Sequence, residues 1–98
     1  MPEEEWRLLG RKAIAALDEI IRERPRTVDQ SMVDAVRAIA DVRNELVRRL
    51  RETGEEDTRL RLDVANSALS MAMSVEYPRA RFQLQHLEEA RKALRALL

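Results

Sequence analysis

Cysteine is absent from this 98-residue sequence, glycine occurs twice, and tryptophan, tyrosine and phenylalanine occur once each. Without cysteine there is no disulfide, no thiolate metal site and no cysteine nucleophile. The single histidine, His86, stands in no metal-ligand spacing, which argues against a zinc site or a histidine-based triad. No apolar run approaches the roughly 18 residues of a membrane span, and no charged-then-apolar leader opens the sequence. Neither a membrane partner nor a signal peptide is therefore expected, and the cytoplasm is the expected location. An excess of one charge is also missing, because 18 Lys+Arg balance 18 Asp+Glu. A chain with no net charge is poorly suited to coating nucleic acid, so such contacts would need a local patch. Glycine-rich phosphate loops and nucleophile elbows do not occur, and neither an enzyme nor a cofactor is expected.

What is present favours helix. Leucine and alanine supply 13 residues each, arginine supplies 16, and 37% of all residues are charged. Ala, Leu, Glu and Arg are strong helix formers, so the summed preference is helical. The length suits one domain spanning 1–98. Arginine greatly exceeds lysine, which occurs twice; physically, that bias favours forked contacts to carboxylate or phosphate.

Apolar spacing divides the chain into four helices. The first is expected from Pro2 to Glu23, with Glu3, Glu4 and Glu5 at the positive end of its dipole and Pro25 stopping it. Its stripe is Trp6, Leu9, Ala13, Leu17 and Ile20, flanked by Ile14 and Ile21. The second is expected to open on a Thr27–Gln30 capping box and close at Gly54. Met32, Ala35, Val36, Ile39, Val42, Leu46 and Leu50 form its stripe. Asp57 or Thr58 should cap the third helix, which runs to about Val75. Two stripes cover it, Leu62, Ala65, Leu69 and Ala72 beside Val64, Ala68, Met71 and Val75, so it should be the most enclosed of the four. Ser67, Ser70 and Ser74 would then let a neighbour approach closely. The fourth starts near Pro78 and buries Leu84, Leu87, Ala90, Leu94 and Leu97. Short connections and no strand-like alternation give an all-α fold, a single antiparallel (up-down-up-down) four-helix bundle.

Such a bundle gathers residues that are distant in sequence. One pole would collect Arg22, Arg24, Arg26, Arg79 and Arg81 near Tyr77, against Glu23, Asp29 and Glu76, with Gln83 and His86 a turn or two below. Five arginines beside an aromatic could hold an anion or an acidic partner. The simpler account is that Arg22 and Arg24 complement a helix end while Arg79 and Arg81 are solvated or paired. At the other pole Arg48, Arg49, Arg51, Arg59, Arg61 and Arg95 meet seven acids and nearly cancel.

The remaining chemistry has bland explanations. His86 with Met32, Met71 or Met73 offers haem ligands, yet closely spaced leucines leave little room and no attachment motif is present. The methionines read as adaptable core filling. Glu3-Glu4-Glu5, Glu55-Glu56-Asp57 and Glu88-Glu89 sit at helix starts or on polar faces, and the Glu-x-x-His pairs of a di-metal bundle are missing. Asn66, next to apolar stripes, points to a specific helix partner, and Asn44 also lies mid-helix. Trp6 reads as a core anchor, with an interface anchor as the alternative.

The leading expectation is a non-catalytic helical interaction or self-assembly module whose partner is a protein or a second copy. A small anion- or nucleic-acid-binding component, regulatory or DNA-packaging, using the arginine pole is the second. The third is a de novo designed bundle, with or without a built-in pocket. The Met-Pro-Glu-Glu-Glu opening, paired helix-start prolines and capping box follow design rules. The arginine bias, four methionines and the run Asn66, Ser67, Ser70, Ser74 speak against that origin.

Overall fold

Glu4 begins the first helix. Its carbonyl accepts the backbone N–H of Arg7 at 3.0 Å and of Leu8 at 3.3 Å. In the computed structural model α1 then runs Glu5–Glu23, followed by α2 Gln30–Thr53, α3 Glu56–Met73 and α4 Leu84–Leu97. The structure describes residues 4–23, 30–73 and 84–98. Among these there is no strand, and the protein is all-helical. The expected helix starts at Pro2, Thr27 and Pro78, and the stop at Pro25, lie outside the described residues.

Between α2 and α3 the expected cap is present. Gly54 takes a φ of +66° and donates its N–H to the Leu50 carbonyl at 2.8 Å, the left-handed ending that glycine accepts without a Cβ penalty. Thr53 reinforces the turn, donating its hydroxyl to the Arg49 carbonyl at 3.0 Å and accepting the Glu55 N–H at 3.3 Å. The start of α3 differs from the expected Asp57 or Thr58. The Glu55 carbonyl accepts the Arg59 N–H at 3.2 Å, so the helix begins two or three residues earlier. Asp57 becomes a first-turn anion at the positive end of the dipole, and Thr58 faces the core.

The helices form a four-sided arrangement. Packing joins α1 to α2, α2 to α3, α3 to α4 and α4 back to α1, and among the described residues neither diagonal pair of helices brings its backbones close together. This packing fits a helical bundle. Its long axis of 42 Å is set by the 24 residues of α2, about 36 Å at 1.5 Å per residue. The core holds Trp6, Leu17 and Ile20 of α1, Ile39, Val42 and Leu46 of α2, and Leu87 and Leu94 of α4. Each such side chain contributes roughly 1.5–3 kcal/mol when fully buried. Gly10 replaces Leu9 on the innermost face of α1, and Leu9 packs at its edge.

The third helix departs from expectation. Its buried residues are Thr58, Ala65, Ala68 and Ala72, while Leu62, Val64, Leu69 and Met71 are only half-buried. Leu60 and Met73 are 55% and 46% exposed. It is not the most enclosed helix. Two apolar stripes lead to burial only where neighbours flank both, and α3 has neighbours on two sides of a square. The close approach expected of its serines is made by alanines instead, and Ser67 and Ser70 face outward.

Candidate functional site

The arginine pole is represented here by one residue. Arg22 is exposed in the last turn of α1, where its charge complements the helix dipole. Arg24, Arg26, Tyr77, Arg79 and Arg81 lie outside the described residues, as do Asp29, Glu76 and Gln83. Asn66 is exposed on α3 and Asn44 on α2, so neither is a buried polar residue fixing register inside this chain.

Trp6 is 1% exposed and belongs to the core, the first of the two readings its sequence position allowed. Charged groups surround it. The indole Nε1–H donates to Glu4 Oε2, and the other Glu4 oxygen accepts Arg49 Nη2 of α2 at 2.8 Å. The guanidinium carbons of Arg7 and Arg61 lie 4.7 and 4.9 Å from the ring centroid, within reach of the attraction between a cation and an aromatic ring. One tryptophan thereby ties together the starts of α1 and α3 and the end of α2.

A second cluster sits between α1 and α4. Asp18 Oδ1 accepts Arg91 Nη1 at 2.8 Å and Arg95 Nη2 at 3.2 Å, and Arg7 Nη1 reaches the Leu98 carbonyl at 3.5 Å. Sequence reasoning missed Asp18, because its partners are more than 70 positions away and a lone acid on a charged helix gives no signal. A third cluster lies along α2, where Arg48 bridges Glu45 and Glu52, with Nη1 2.6 Å from Glu52 and Nε 3.0 Å from Glu45. The hydrogen bond from Arg48 holds the Glu45 carboxyl below its ordinary value, with smaller help from the charges of Arg48 and Arg49 against partial burial. Arg48 is raised in turn, chiefly by that bond to Glu45.

Among the described residues no three of His, Cys, Asp and Glu are grouped to hold a metal ion. His86 is half-buried on α4, and Glu55, Glu56, Asp57, Glu88 and Glu89 are exposed. Met32 fills the core while Met73 is exposed. Two depressions open widely to solvent. Asn44, Val47, Arg48, Arg51 and Glu52 line one on α2; Ala16, Glu19, Ile20, Glu23, Ser31 and Asp34 line the other, between α1 and α2. No described helix is long and apolar enough to cross a membrane.

The outer face of α3 stands apart. From Val64 to Met73 the helix carries no charged residue, and Asn66, Ser67, Ser70 and Met73 of that segment are exposed. The other helices place charge on their exposed sides: Arg11, Lys12 and Glu19 on α1, Arg37 and Asp41 on α2, Glu88, Glu89 and Lys92 on α4. This exposed face is uncharged in a chain that is 37% charged. Comparison with protein-family models, with curated proteins and with solved structures finds no match to this chain.

Proposed function

We propose that this chain is a non-catalytic helical module that associates with a second copy of itself through the outer face of α3. The observation carrying this reading is the uncharged exposed face from Val64 to Met73. Covering it desolvates no ion, and removing a charged group from water is what most often makes helix-on-helix burial unfavourable. Ser67 and Ser70 are small, so a second helix packs close, at the short end of the usual spacing. Half-buried Val64, Leu69 and Met71 supply apolar flanks. The partner is a second copy because the chain has zero net charge: two copies meet without long-range repulsion, and one uncharged patch matches itself across a two-fold axis.

Within each copy the reading takes the helices as an up-down-up-down antiparallel bundle. Four contacts support that course. Glu4 before α1 meets Arg49 near the end of α2, and Trp6 meets Arg61, both near helix starts. Asp18 in the second half of α1 meets Arg91 of α4, and Arg7 early in α1 meets Leu98 just beyond α4.

Light scattering over about a hundredfold concentration range tests the proposal. The expected mass rises from 11.4 kDa to twice that value. The double variant Ser67→Glu, Ser70→Glu places like charges on both sides of the contact and should raise the dimer dissociation constant by at least about tenfold, or 1.4 kcal/mol. A monomer at every concentration, or a dimer unaffected by the two glutamates, overturns it.

A further inference from the structure

The four seams of the bundle are unequal. Among the described residues α1 and α4 share the thinnest packing of the four adjacent pairs. At one end of that seam Gly10 faces Leu98, where a Cβ on residue 10 would lie 3.1 Å from the leucine Cδ2. Further along, the tie is ionic, and one carboxylate serves two cations. Arg91 and Arg95 both bind Asp18 Oδ1, with side chains 25%, 57% and 41% exposed for Arg91, Arg95 and Asp18. A clasp so open to solvent is weakened by salt. Losing its single acid would leave two guanidinium groups side by side without their common counter-charge. The spine opposite has a different character, since α2 and α3 are joined by the short capped turn at Gly54.

We infer that the bundle opens at the α1–α4 seam, with α1–α2 and α3–α4 remaining paired, and that Asp18 is the clasp setting how often it does so. Parting α1 from α4 breaks the thinnest of the four seams. Removing α4 as a whole would break the α3–α4 packing as well. The opening uncovers core side chains of both helices, among them Leu17, Leu94 and Leu97, and creates an apolar cleft absent from the closed form. Its frequency rises with ionic strength, because screening weakens Asp18 against Arg91 and Arg95.

The absence of cysteine permits a direct test. Nitroxide labels on Ala15→Cys and Lys92→Cys, exposed positions of α1 and α4, report the separation across the seam by pulsed electron resonance, with labelled chain diluted into unlabelled chain. The expected result is a short and a long separation, the long one growing with salt and in Asp18→Asn. In Asp18→Asn the long separation should be about twofold to fivefold more populated, the range expected for exposed ion pairs, and amide exchange in the full chain should leave the protection of α2 and α3 unchanged. A single short separation indifferent to salt and to Asp18→Asn overturns the inference. So does loss of protection in all four helices together, or in α4 alone.

Discussion

Among the described residues Thr58 is the one polar side chain fully buried in the core, and its hydroxyl has no hydrogen-bond partner there. An unmatched buried hydroxyl is destabilising, whereas a methyl group of the same shape is not. Thr58→Val should therefore raise the unfolding free energy by about 1 kcal/mol, read from urea unfolding, whereas Thr58→Ser should lower it. Glu45 argues in the opposite direction. Its carboxyl is held low by Arg48, so it contributes stability above its ordinary value of 4.5 and loses that contribution as the pH falls through the lowered folded value. Glu45→Gln should be less stable at pH 7 by roughly 0.5 kcal/mol, the size of an exposed ion pair, and equal to the parent near about pH 2. A gap that persists in acid would assign the loss to packing. The sequence offered Asp57 or Thr58 as the cap because Asp and Thr both favour helix starts; nothing local revealed that Glu55 would take that place.

At the scale of elements, the α2–α3 turn was the most legible feature. Glycine after the last apolar repeat marks a left-handed ending, and Gly54 adopts one. No atom lies within 4 Å of where its Cβ would be, so the cost of a side chain there is conformational alone. Gly54→Ala should lower the midpoint of urea unfolding by the equivalent of about 1 kcal/mol, and Gly54→Asn by less. Most of the stripes of α1 and α2, short of half-buried Leu9, Val36 and Leu50, and the part of the α4 stripe from Leu87 to Leu97 were readable for a simple reason. Large apolar residues at steps of three and four have a charged opposite side, and that contrast identifies the inner face. The third helix lacks that contrast. With charge absent from Val64 to Met73, two faces compete for the core, and the alanines win because they let the helix lie closest to its neighbours. The same missing charge that misled the burial reading leaves the outer face of α3 uncharged.

For the whole molecule, sequence periodicity supplied the number of helices but not the strength of each seam. Seam strength depends on which residues meet across the bundle, and pairs such as Asp18 with Arg91 or Glu4 with Arg49 leave no local pattern. The arginine pole, which topology suggested, has one member among the described residues, Arg22. The surroundings of Trp6 have an optical consequence. It is the sole tryptophan in the chain, buried, with Arg7 and Arg61 near its ring and its indole N–H bound to Glu4. Its near-ultraviolet emission thus comes from a single place, the end of the molecule where α1, α2 and α3 converge. A shift of that emission to longer wavelength would mark the moment water reaches this end, allowing its loosening to be timed separately from the opposite end without attaching any dye.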